Sequence, residues 1–327
     1  MHIAILGGAG FLGRKVAARL AEEGILGGRP VSSLTLFDLA PPPVPDNASF
    51  PVNSLAGDLA SLPDAAIPPG TDVIFHLAAV VSAAAEADYE LARRVNVRGT
   101  DAVIDACRRL SRPPRVVFTS SVASFSGGQG AILPDDARQV PANTYGAQKA
   151  AAELFLADAS RRGMLDAASI RLPTVIVRPG RPNKAASSFV SAILREPLLG
   201  LPATLPVPDD FAVWVCSPRR AVEWLLHAAS MDTGAMGLDR GVNPPGISVT
   251  VGQMLAALDS VRPGASALVE RRPDLAVAAI VSGWPAAFAP VRAIGLGFNA
   301  HEGLRELVHA FIDDDLENTR RERNAAS

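Results

Sequence analysis

His2-Ile3-Ala4-Ile5-Leu6-Gly7-Gly8-Ala9-Gly10-Phe11-Leu12-Gly13 is the stretch that decides the fold. A short apolar strand pattern runs straight into glycine, and apolar residues return at helical spacing over residues 12–20. Gly7, Gly10 and Gly13 hold the three positions of a GxxGxxG turn. The first supports a tight turn, the second lets the backbone approach a pyrophosphate, and the third lets the helix pack closely on the strand. The helix begins at Phe11 and Leu12, where backbone donors and the positive dipole end would meet that anion. Glycine triplets alone are weak evidence. Placement between a strand and a helix at the very start of the chain makes this one strong.

Further apolar runs fall at 34–37, 73–77, 116–119 and 169–172, with helix-patterned segments at 84–110 and 145–160 between them. Short apolar strands alternating with helices indicate a parallel sheet covered on both faces. The expected class is α/β, a Rossmann-type doubly wound parallel sheet. Past Pro173 the texture changes to shorter elements broken by Pro and Gly, with helical spacing returning at 218–230, 251–261 and 301–316. Residues 1–173 are therefore read as a nucleotide-binding domain carrying the catalytic groups. Residues 174–327 are read as mainly a smaller C-terminal substrate-binding lobe, with some segments returning to the main domain. The proline-rich run at 41–45 reads as a rigid loop, and the charged segment 318–327 as a frayed end.

Asp38 closes the second strand pattern. A carboxylate there accepts hydrogen bonds from the adenosine ribose hydroxyls and repels a 2′-phosphate. Residues 30–92 contain no Lys or Arg, so the expected cofactor is NAD rather than NADP; Arg14 and Lys15 stand against this. Asp58, before Leu59, either bonds the adenine amino group or caps a helix.

The chain has 327 residues, enough to bury a large core, and its formal net charge of −2 gives no reason to expect nucleic acid or an anionic membrane as partner. Two distant cysteines, Cys107 and Cys216, form no CxxC pair and no Cys/His cluster, so neither a metal nor a disulfide framework is expected. No apolar segment reaches spanning length, and the start of the chain lacks a signal-like pattern. The expected location is the cytoplasm.

Tyr145-Gly146-Ala147-Gln148-Lys149 holds one of only two tyrosines and one of only three lysines. Four residues make about one helical turn, so both side chains share a face. An ammonium beside a phenol favours the phenolate, which suits a general base. Ser120 and Ser121 end the strand pattern upstream, where a parallel sheet places its site.

Together these residues resemble the extended short-chain dehydrogenase/reductase family over nearly the whole chain. The matching motifs are Gly7/Gly10/Gly13, His76-Leu77-Ala78-Ala79, Asn96-Val97-Arg98-Gly99-Thr100, Ser120-Ser121 and Tyr145/Lys149. The resemblance implies a Ser121–Tyr145–Lys149 catalytic set, with Ser121 stabilising the developing carbonyl and Lys149 also holding the nicotinamide ribose. Ser121 aligns with the family's hydroxyl ahead of the usual aromatic, here Phe125. It further implies that Leu59, Ala78 and Asn96 lie at or beneath the cofactor, and that His76 is a packing residue.

Family members acting on nucleotide sugars usually carry an Asn after the sixth strand, where this chain has Thr174. Dehydratases carry Asp-Glu after the catalytic hydroxyl, where this chain has Val122-Ala123. The run Arg178-Pro179-Gly180-Arg181-Pro182-Asn183-Lys184, with Val80-Val81-Ser82, is similar to a branch that oxidises sugar acids. That similarity implies NAD-dependent oxidation of the C2 hydroxyl of a four-carbon acid. Arg178 and Lys184 suit a carboxylate; Ser82, Thr174 and Ser187 suit hydroxyls. A nucleotide-sugar epimerase with tightly held NAD, and a non-catalytic NAD sensor, are the alternatives. The segments 84–110 and 145–160 match helices that form a four-helix homodimer interface in many relatives, so a homodimer is expected.

Overall fold

A computed structural model describes residues 1–128, 132–180, 188–300 and 303–325. Its central sheet has seven strands: β1 (His2–Leu6), β2 (Ser33–Asp38), β3 (Val52–Ala56), β4 (Thr71–His76), β5 (Arg115–Ser121), β6 (Asp166–Leu172) and β7 (Gly241–Val242). Their order is β7-β6-β5-β4-β1-β2-β3, and every pairing is parallel. The order reverses at β1, so its C-terminal end opens on a crevice, the place where such sheets bind ligands.

The sheet is covered on both faces, which is why its inner strands read as continuous apolar runs. One face packs α1 (Phe11–Glu23) and a helix from the second half of the chain, Pro218–Ser230. There Val16, Ala17 and Leu20 meet Trp224, Leu225 and Ala228 over Ile3, Ile5 and Phe75. The other face packs α2 (Gly99–Arg108) and α3 (Thr144–Arg161), through Val103, Ala106, Ala152 and Leu156 over Leu6, Ile74 and Phe118. Each fully buried Val, Leu, Ile or Phe among them contributes about 1.5–3 kcal/mol.

A second core joins Ile176, Val190, Ile193, Val213, Leu258 and Phe311. It lies among the small sheet Thr174–Val175, Ala212–Cys216 and Ile247–Thr250, α4 (Ser188–Leu198), α5 (Val251–Val261) and α6 (Leu304–Asp314). Both cysteines are buried free thiols. Among the described residues no helix is long and apolar enough to cross a membrane.

Two expectations are corrected. The segment 84–110 is not one helix. A helix at Ser82–Ala87 stops, Asp88 caps a new start by accepting from the Leu91 N–H, and one wide turn at Arg93–Arg98 precedes α2. The extra backbone of that wide turn carries Asn96 inward, where its amide clamps Val80. The charged end is not frayed either: α7 (Leu316–Asn324) follows α6 after a break at Asp315. Helix α7 is held because Thr319 is buried and Arg323 pairs with the buried Glu196. Residues 301–302 and 326–327 lie outside the described residues.

Candidate active site

A cavity of about 1330 Å³ opens at the C-terminal edge of the sheet. A single small ligand usually occupies 300–1,000 Å³, so this space suits a cofactor together with a substrate. Its wall contains Gly7, Gly10, Phe11, Leu12 and Gly13 at one end. Ser82, Ser121, Tyr145, Lys149, Thr174 and Arg178 line the rest. Ser187, with Arg181 and Lys184, lies outside the described residues.

At the glycine end, α1 starts at Gly10 with no side chain capping it. The first-turn N–H groups, which have no partner within a helix, are of the kind that can receive an anion. Asp38 accepts from the Ala9 N–H (2.9 Å) and the Leu39 N–H (2.7 Å), fixing the carboxylate against the glycine loop. A carboxylate has about four acceptor sites, so two bonds leave capacity for ribose hydroxyls. Arg14 is turned back onto the Ala9 carbonyl, and Lys15 pairs with Asp315. A dinucleotide fits this donor and acceptor set.

Asp58 and Leu59 stand outside the cavity wall. Asp58 caps a short turn through the Ala60 N–H and pairs with Arg94, while Leu59 is buried against Gly99. Ala78 packs on Gly7. Asn96 sits one layer below the wall: its carbonyl accepts from Val80 N–H, and its amide donates to the Val80 carbonyl and to Gln148. His76 is buried against Phe118 and bonded to Thr100, and burial holds it neutral, down to about 3.

The reacting groups come from β5 and α3. Ser121, the last residue of β5, shares the cavity wall with Tyr145 and is placed to favour its phenolate. Asn143 caps α3 by accepting from the Gly146 N–H at 2.7 Å. Gly146 itself lets the helix come close, because a Cβ there would stand 2.2 Å from the Ala123 carbonyl oxygen. That close approach brings Tyr145 to Ser121.

The electrostatics depart from the sequence reading. Loss of solvation pushes Tyr145 up to about 12, opposed by the Ser121 hydrogen bond and by the charge of Arg178. The cation whose charge favours the phenolate here is Arg178. The Lys149 ammonium lies 5.7 Å from the Tyr145 ring centre and 4.3 Å from that of Phe118, and burial pulls it down to about 7.

Three features were not read from the sequence. Glu153 follows Lys149 by one turn, and its charge raises the Lys149 pKa. It accepts from Ser120, Gln139 and Arg171, all buried or half-buried. Arg195, Glu196 and Arg323 form a second buried cluster beside the 178–180 turn. Trp214 and Trp284 add aromatic surface to the wall. The i, i+4, i+8 spacing of Tyr145, Lys149 and Glu153 is the one signal that sequence offered.

Burying Lys149 has a stability consequence. The unfolded chain keeps this proton up to about 10.5, the folded chain only to about 7. Between those values the unfolded state binds more protons, so stability rises with pH, and the cost of burial is full below about 7. Lys149→Met is expected to melt above the wild type at pH 6. Thermal melts should show the gap closing towards pH 10; a variant less stable at pH 6 contradicts this.

Comparisons with known proteins agree with the fold. The model of the family described as NAD dependent epimerase/dehydratase matches residues 3–214. The chain is 44% identical over 321 residues to D-erythronate dehydrogenase of Cupriavidus necator, covering 96% of this chain and 98% of that protein. It is 37% identical over 329 residues to D-erythronate dehydrogenase of Haemophilus influenzae, covering 97% and 100%. A crystal structure described as the nucleoside-diphosphate-sugar epimerase from Agrobacterium tumefaciens superposes with a TM-score of 0.92 at 44% identity, covering 97% of this chain and 95% of that one.

Proposed function

Because the chain belongs to the NAD dependent epimerase/dehydratase family and is a nicotinamide-dependent oxidoreductase, we propose that it oxidises the C2 hydroxyl of D-erythronate to the 2-oxo acid. The observation that carries this reading is Arg178. Its guanidinium shares the cavity wall with Tyr145, close enough for its charge to favour the phenolate. A substrate carboxylate held there, by charge-assisted hydrogen bonds, brings the neighbouring C2 hydroxyl towards Tyr145.

In this mechanism Tyr145 takes the C2 hydroxyl proton as general base, and Ser121 donates a hydrogen bond to the oxygen as it becomes a carbonyl. Lys149 lies beneath the phenol and orients the ribose end of the site. Ser82 and Thr174 face the same cavity and suit the remaining hydroxyls. NAD⁺, when bound, accepts the hydride. Gly7, Gly10, Phe11, Leu12, Gly13 and Asp38 would hold it. NAD is favoured over NADP because Asp38 closes the ribose end while Arg14 and Lys15 are engaged elsewhere.

The similarity to a structure described as a nucleoside-diphosphate-sugar epimerase favours a second reading, epimerisation with retained NAD. Initial rates of NADH formation with D-erythronate, L-threonate, D-threonate, erythritol and UDP-sugars separate the two. The proposal expects a signal with a tetronate and NAD⁺, and none with erythritol, which lacks the carboxylate. A UDP-sugar converted without NADH release would overturn it. The expected homodimer rests on α3, whose Leu154 and Phe155 are 69% and 43% exposed. Sedimentation showing only monomer would remove it.

A further inference from the structure

We infer that the C-terminal helix α7 is a positioning element of the substrate site, and that Arg323, Glu196 and Arg195 hold the turn that presents Arg178. This inference rests on the sugar-acid reading above and extends it to residues far from the chemistry.

Residues 178–180 leave the small sheet with no regular secondary structure of their own, so their backbone groups need partners from elsewhere. Three such bonds come from helices. The Arg178 N–H donates to Ser191 Oγ at 3.2 Å, and the Arg178 carbonyl accepts from Arg195 Nη1 at 2.7 Å; both residues belong to α4. The Gly180 carbonyl accepts from Arg323 Nη2 at 2.9 Å, from α7. Glu196 ties the two arginines together. It accepts from Arg195 Nε at 2.8 Å and takes both arms of Arg323, at 2.6 and 2.8 Å.

Two guanidiniums against one carboxylate leave a surplus of donors, and one nitrogen from each reaches a carbonyl of the turn. Arg195 is 2% exposed and Glu196 4%, so the geometry is locked away from solvent, where a bidentate pair keeps its directionality. The other end of α7 is fixed as well. Asp315, which precedes its first turn, pairs with Lys15 of α1 at 2.8 Å, two residues beyond Gly13. Helix α7 thus links the cofactor-side helix to the turn carrying the carboxylate-binding arginine. Arg178 must project from a fixed backbone if it is to hold the substrate carboxylate, since a displaced guanidinium loses the charge-assisted bonds that bind it.

The test uses the full chain with Arg323→Met and Arg323→Lys. Lysine keeps a charge beside Glu196 and guards against a variant that fails to fold, but it lacks the fork that reaches both Glu196 and the Gly180 carbonyl. KM for the oxidised tetronate should rise about tenfold in Arg323→Met and about threefold in Arg323→Lys, with kcat within about threefold and NAD⁺ affinity unchanged. Hydrogen exchange should independently report faster exchange at the Arg178 amide, with peptides of α1 and β5 unaffected. Folded variants with wild-type KM and unchanged exchange at Arg178 would overturn the inference. Faster exchange at Arg178 in a protein whose wild type oxidises no tetronate would instead uphold the positioning role and sink the substrate reading.

Discussion

Tyr145→Phe is expected to lower kcat for the sugar acid by about 10²–10⁴-fold, the usual contribution of a positioned general base. The ring stays, so packing against Lys149 and the cavity wall stays; what goes is one hydroxyl. Affinity for NAD⁺, read by fluorescence titration, should remain within about fivefold, since one lost hydroxyl away from the glycine loop costs about 1 kcal/mol or less there. The pH profile supplies a second readout. With the unliganded phenol pushed up to about 12, most of the enzyme carries a protonated Tyr145 at neutral pH. In the wild type kcat/KM should therefore climb with pH through the neutral range, and the Phe variant should flatten that climb. Turnover near the wild-type rate in Tyr145→Phe would remove the tyrosine from the mechanism.

Gly13→Ala should cripple cofactor binding and weaken the fold together. A Cβ at position 13 would stand 2.1 Å from the Gly7 carbonyl oxygen and 2.9 Å from Gly8 Cα, both backbone atoms that cannot swing aside. Either α1 tilts away from β1 or the loop distorts, and overpacking of this kind costs about 1–3 kcal/mol. Differential scanning fluorimetry should record a drop of several degrees, at roughly 2–4 °C per kcal/mol for a domain of this size. The dissociation constant for NAD⁺ should rise by about 10² or more, because the first-turn amides of α1 no longer point where the loop requires. Gly10→Ala gives the contrast. Its nearest neighbour is the Gly7 carbonyl oxygen at 3.1 Å and its outer side faces the cavity, so it should keep the melting temperature and still lose affinity. A Gly13→Ala protein with unchanged melting and affinity would show that the close approach is not needed.

The parallel sheet was readable because strands buried on both faces are apolar through their centres, as at Ile3–Leu6, Val73–Phe75 and Val116–Phe118. The glycine loop was readable because backbone contact at Gly7 and Gly13 leaves no room for another residue. Helix α3 and its Tyr145/Lys149 face followed from spacing alone. What escaped was set by long-range pairing. Nothing local marks Arg323 as a partner of Glu196, 127 residues away, so the last segment read as solvated charge. The break in 84–110 escaped because Asp88 and Asn96 act through the backbone of Leu91 and Val80, which helical spacing does not report. The charge of Arg178 at Tyr145 escaped for a similar reason: shared helix face points to Lys149, whereas Arg178 arrives from a separate part of the chain.

The most direct measurement follows a label. D-erythronate carrying deuterium at C2 is incubated with the protein and NAD⁺, and the reduced nicotinamide and the organic product are weighed by mass spectrometry. The account predicts NADH heavier by one mass unit together with an unlabelled 2-oxo acid. Unlabelled NADH, label retained in the product, or label returned to an inverted sugar acid with no NADH formed would contradict oxidation at C2.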